Sequence, residues 1–298
     1  MIKYTFSWAC AAAIVAVCVC VTCGQRTAPA NPMIFAVVQN GTSLEPIASI
    51  DKGRLKNPVN GSDDANALAA FSRAYYKKGA AYKLVFGSAN AGTVTVSSAN
   101  LKSECGKNIA TVTTHATKTP LKGLVMGLAT NAGIRSTAAS YRRKPTTAEK
   151  DEIDALVKAE FVRQKLSPKT LHYQNLTALD VDNDGKADLV GSYWTEVDKM
   201  TRGLLFFIAT KGSNGKYSFS YKEYRSVDQA NVMSGDIKAV DGGVYHELLL
   251  DAFDYDGDGV AEIFTYQQGF EGSGFFVYAK KGGKWTREYE FNNYHCAF

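Results

Sequence analysis

Residues 180–188 read Asp-Val-Asp-Asn-Asp-Gly-Lys-Ala-Asp, and residues 254–262, 74 positions later, read Asp-Tyr-Asp-Gly-Asp-Gly-Val-Ala-Glu. This pattern constrains the chain more than any other, because so many carboxylates in a short run repel one another unless a cation sits between them. Gly185 and Gly259, at the sixth place, allow a sharp turn because they lack a Cβ. Such a turn points Asp180, Asp182 and Asp184, and likewise Asp254, Asp256 and Asp258, toward one point. Asp188 and Glu262 close each cage, and Lys186 and Val260 offer backbone carbonyls. A donor set made only of oxygen suits Ca²⁺, which takes about six to eight such ligands, better than Mg²⁺ with its smaller hydrated shell. The lack of Cys or His in either loop argues against zinc. The alternative is an acidic surface turn, since Asp and Gly favour turns without any ion.

The loops are not EF-hands. The twelfth place, where an EF-hand carries a bidentate Glu, holds Gly191 in one loop and Thr265 in the other. Runs of Leu, β-branched and aromatic residues flank both loops and predict strands. Each loop sits in a longer repeat: strand, acidic loop, strand, strand, Gly-rich turn, strand. The Gly-rich turns are residues 211–215 and 280–284. A shared order of this kind is stronger evidence than either loop alone.

On those residues the second half resembles the FG-GAP or VCBS-type repeats of integrin-like β-propellers and exported bacterial proteins. The resemblance implies two calcium sites, antiparallel β repeats like two propeller blades, and a binding or adhesive role toward a glycan or protein at a cell surface. The fold expected for the whole chain is mainly β (α+β). Its parts are a signal segment (1–24), an amino-terminal α+β region (25–145), a connecting helix (146–169) and the two repeats (170–298).

Two helices are expected. One runs from Ser62 as cap to about Lys78, ended by Gly79, with Leu68, Phe71 and Tyr75 on one face. The other runs over 146–165, opened by a capping box of Thr146 and Glu149, with Ile153, Leu156, Val157 and Phe161 as its apolar stripe. Strands are expected over 33–39, 44–55, 109–114 and 121–128. A hairpin is expected from 82–87 to 93–97, turning at 88–92. Residues 25–32 read as a linker, and 132–145 as a connection without periodicity.

Lys3 and the apolar run 8–21 form an export signal, since the run is shorter than the roughly 20 residues a membrane helix needs. Cleavage before Gln25, lipidation at Cys23 and a retained anchor all stay open, and only the last two attach the chain to a membrane. Beyond this segment only Cys105 and Cys296 remain. Export places them where disulfides persist; they form either one bridge or two free thiols. The net charge of +5 is scattered, which argues against a nucleic-acid role.

Catalytic residues are few. The four histidines are His115, His172, His246 and His295, and none lies in a metalloprotease helix, nucleophile elbow or phosphate loop. His246-Glu247 is the best acid–base pair on offer, with a polar strand entry as its other explanation; the alternative function is a secreted hydrolase whose catalytic residues stay unassigned. Tyr217, Phe219 and Tyr221, and Trp285, Tyr289 and Phe291, alternate along their strands, so that one face could stack sugars. Core packing is the other explanation for them.

Overall fold

The computed structural model describes residues 31–117, 119–134, 142–182, 184–233 and 235–296. The expected export segment, Cys23 and most of the linker lie outside these residues, as does half of the connection at 132–145. Among the described residues no helix is long and apolar enough to cross a membrane.

The apolar alternation of the first half builds β1 (Met33–Val38), β2 (Ser43–Asp51), β3 (Arg54–Lys56), β4 (Ala81–Phe86), β5 (Ala89–Ala99), β6 (Ala110–Ala116) and β7 (Gly127–Thr130). They form one sheet in the order β1-β7-β4-β5-β6-β2-β3, and β1 also pairs with β2, giving a partial six-stranded barrel. Along β1, Met33, Phe35 and Val37 point into the barrel core, while Ile34, Ala36 and Val38 point out of it. Helix α1 (Ala65–Tyr75) lays Phe71 and Tyr75 against that core, as its pattern predicts.

The second half forms two antiparallel meanders. One is β9 (His172–Leu179), β10 (Asp188–Asp198), β11 (Thr201–Lys211) and β12 (Tyr217–Asp228), with the short β8 (Arg142–Arg143) added beside β9. The other is β13 (Glu247–Phe253), β14 (Glu262–Gln268), β15 (Gly272–Lys281) and β16 (Lys284–Tyr294). Helix α2 (Thr147–Arg163) packs Ile153, Val157 and Phe161 on one face of the first meander, beside Leu205 and Phe207. The opposite face, with Val190, Phe206 and Ile208, meets Ile263, Phe276 and Tyr278 of the second meander. The far face of the second meander, with Phe264, Phe275 and Val277, covers the outside of the barrel at Ile34, Val38 and Leu128. Both meanders are thus covered on both faces. This explains why β11 carries an unbroken apolar run, buried from Gly203 through Ala209, rather than alternating.

Buried polar groups link the layers. Asp251 of β13 pairs with Arg142 at 3.1 Å and accepts the backbone N–H groups of Gly87 and Ser88 in the barrel. Cys105 and Cys296 are bonded, joining positions 191 residues apart. Beside them His295 Nε2 lies 2.6 Å from Glu45 Oε1.

Several expected boundaries move. The cap of α1 is Asp64, whose carboxylate accepts the N–H groups of Asn66 and Ala67; Ser62 instead donates to Asn60. The helix stops at Tyr75, and Gly79, with φ +86°, lies in the following turn. The β4–β5 hairpin turns at Gly87 and Ser88, both at positive φ (63° and 58°), as a tight two-residue hairpin turn requires. Residues 89–92 therefore belong to β5. Residues 121–126 are not strand, and β7 begins only at Gly127. The capping box at Thr146 and Glu149 is present as expected.

Candidate metal centres

The first acidic loop joins β9 to β10 and the second joins β13 to β14, the same step of each meander. The two share one hydrogen-bond skeleton. Asp180 Oδ2 accepts the Gly185 N–H at 3.1 Å, and Asp254 Oδ2 accepts the Gly259 N–H at 3.2 Å. Asp184 Oδ1 accepts from Lys186 N, and Asp258 Oδ1 from Val260 N, each at 2.8 Å. Gly185 and Gly259 have φ of 77° and 93°, a region costly for residues with a Cβ. The loops lie side by side, joined by a bond of 2.8 Å from the Ala261 N–H to the Val181 carbonyl.

Each loop gathers three carboxylates, though not the same three. Asp180, Asp182 and Asp184 offer oxygens within 4.8 Å of one another, and so do Asp254, Asp256 and Glu262. Asp188, at the start of β10, lies outside the first group, and Asp258 lies outside the second. The Lys186 side chain pairs with Asp184 at 3.3 Å. Val260 is half-buried.

The electrostatics of both loops are unfavourable to bare carboxylates. Burial, followed by repulsion from Asp182 and Asp184, pushes Asp180 above the usual carboxylate range. Burial pushes Asp188 up as well. In the second loop burial and neighbouring aspartates raise Asp256, and burial with repulsion from Asp256 lifts Glu262 to about 8. At Asp184 burial also acts upward, but the Lys186 N–H and ammonium outweigh it and hold the carboxyl low. Among the described residues, Asp180 Oδ1, Asp182 Oδ1 and Asp188 Oδ1 are buried without a hydrogen-bond partner. Buried polar atoms are seldom left so, and a hard cation would satisfy oxygens of this kind.

One participant was not foreseen. Lys280, from β15 of the other meander, reaches the first loop and places Nζ 2.8 Å from Asp182 Oδ2 and 3.5 Å from Asp188 Oδ2. Only the alignment of the repeats hints at it: Ala279-Lys280-Lys281-Gly282 corresponds to Ala209-Thr210-Lys211-Gly212, with Lys280 in place of Thr210.

His246 and Glu247 enter β13 as buried polar groups. His246 and Glu247 are 1% and 5% exposed, beside a cavity of about 10 Å³ also lined by Ser192, Glu223 and Arg225. That volume suits about one water molecule. His246 Nδ1 lies 3.3 Å from Ser192 Oγ, and burial pushes the imidazole down to about 4. Glu247 Oε1 accepts from Thr265 Oγ1 at 2.6 Å and from Tyr278 OH at 2.7 Å.

The aromatic residues do not share a face either. A bulge opposite Ile208 and Ala209 turns Tyr217 and Phe219 toward α2 but Tyr221 toward the second meander. A second bulge, opposite Val277 and Tyr278, sends Trp285 toward the first meander and Tyr289 and Phe291 toward the barrel. An extra residue in one strand of a pair shifts every later side chain to the other face. These rings are packed into cores and do not form a sugar-stacking platform. In comparisons with known proteins, no family model, no curated protein and no solved structure matches this chain.

Proposed function

We propose that this chain is an exported calcium-binding protein. Each acidic loop holds one Ca²⁺ and fixes the two strands that it joins, in the manner of FG-GAP or VCBS-type repeats, and the two meanders act as blade-like units. The observation that carries this reading is the pair of buried, unpartnered carboxylate oxygens on Asp180 and Asp182, both members of the first group. The shared hydrogen-bond skeleton of the loops extends it to the second site. Asp180, Asp182 and Asp184 would hold the first ion, with Asp188 at its border, and Asp254, Asp256 and Glu262 the second. The ion would neutralise the crowded carboxylates and stiffen the loop ends of both meanders.

Such a protein serves as a binding, adhesion or structural module at the cell surface, its partner a glycan or a protein. The enclosure of His246 and Glu247 beside a cavity of about 10 Å³ supports this over hydrolysis by that pair. Binding to the folded state alone stabilises it by about 2.7 kcal/mol at a hundredfold excess over Kd. Melting temperature should then rise by about 5–10 °C between EDTA and excess calcium. Asp182→Ala combined with Asp256→Ala should erase the difference. Identical melting of the unsubstituted protein in EDTA and in calcium would refute the reading.

A further inference from the structure

We infer that Lys280 is a resident counter-cation of the first acidic loop, so that the two loops are unequal and the second binds divalent cations more tightly. This rests on the calcium reading and adds a ranking of the sites and a residue that sets it.

The Lys280 side chain is only 13% exposed, and it crosses from one meander to the other to reach Asp182 and Asp188. On both carboxylates it takes Oδ2, while Oδ1 stays buried without a partner among the described residues. The ammonium thus meets part of the charge and part of the hydrogen-bonding demand of the cluster. A divalent ion arriving at the remaining oxygens sits close to a fixed positive charge in a partly buried site, where Coulomb repulsion is weakly screened.

The second loop differs in charge. The first loop sets four carboxylates against the ammoniums of Lys186 and Lys280. The second also has four carboxylates and no lysine within it. Among the described residues, no ammonium or guanidinium forms an ion pair with Asp254, Asp256 or Glu262; the nearby Lys281 pairs with Glu288 and acts on Asp256 only from beyond ion-pair distance. An oxygen cage with no ammonium in contact gains more from a divalent ion than one that already holds an ammonium. When no metal is bound, Lys280 ties the two meanders together.

The test is a calorimetric calcium titration of the full chain, with Asp256→Asn to silence the second loop and Asp182→Asn to silence the first. In the unsubstituted protein the second loop should bind at least tenfold tighter. Lys280→Met should tighten the first loop by tenfold or more and leave the second unchanged. In EDTA the Lys280→Met protein should melt below the unsubstituted one, and calcium should close the gap. Lys280→Arg, which keeps the charge, should keep the first loop weak. Equal affinities in the unsubstituted protein, or a first loop unchanged or weakened by Lys280→Met, would overturn this inference and leave the calcium reading standing. Absence of calcium binding by every variant would overturn both. Should Lys280→Met fail to fold, the affinities of the two silenced proteins still decide the ranking.

Discussion

Glu247→Gln tests the buried polar seam between the two meanders. Glu247 opens β13, and its Oε1 accepts hydrogen bonds from Thr265 and Tyr278. Arg287 in turn reaches the Tyr278 hydroxyl at 3.3 Å and pairs with Glu223. Burial lifts the Glu247 carboxyl from 4.5 to about 7, against the lowering effect of its two hydrogen-bond donors. The folded state therefore holds this proton more tightly than the unfolded chain does. The resulting stability is fully present below about pH 4.5 and is lost as pH rises through about 7. At about 1.36 kcal/mol per unit, about 2–3 kcal/mol disappears between about pH 5 and about pH 8. Glutamine has no charge to bury at either pH. Urea unfolding of both proteins in EDTA at the two pH values gives the comparison, and any constant cost of the amide cancels from the difference. Nearby His246 is held down to about 4 and stays neutral throughout. The expected result is a gain of about 2–3 kcal/mol for Glu247→Gln relative to the parent on going from about pH 5 to about pH 8. Parallel pH dependences for the two proteins would refute the reasoning.

Two further substitutions probe how the layers are held. Asp251→Ala removes, in a fully buried place, the acceptor of the Gly87 and Ser88 N–H groups and the only charged partner of Arg142 among the described residues, which keeps just the Met126 and Leu250 carbonyls. It should cost about 3–5 kcal/mol in denaturant midpoint analysis, and a loss under about 1 kcal/mol would contradict the role given to it. Replacing Cys105 and Cys296 by Ser opens a loop spanning 191 residues. By the loop-entropy argument this should cost on the order of 5 kcal/mol, and unchanged melting would count against it.

Local features of the fold are legible in the sequence. The Thr146 and Glu149 box sets the start of α2 with residues three apart, and the stripe Ile153, Val157 and Phe161 gives its buried face. The acidic loops are legible for the same reason, since the turn at Gly185 or Gly259 and the aspartates around it form one short segment. The β1–β7 pairing that the barrel also needs is not legible: it sets Ile34 opposite Thr130, and no local pattern announces a contact across that separation. The bulges that divide Tyr217 from Tyr221 and Trp285 from Tyr289 are also invisible to a strict alternation rule. The role of Lys280 is not legible because it enters the first loop from a strand of the other repeat. The enclosure of His246 and Glu247 comes from packing one meander on the other, which a reading of either repeat by itself does not supply.

Calcium stoichiometry, measured by isothermal calorimetry on the purified, chelator-stripped chain, bears most directly on the two acidic loops. The account predicts one ion bound per loop, with binding abolished by Asp182→Ala together with Asp256→Ala while the circular dichroism of the strands is retained. A flat titration of the parent protein, or binding that survives both substitutions, would contradict it.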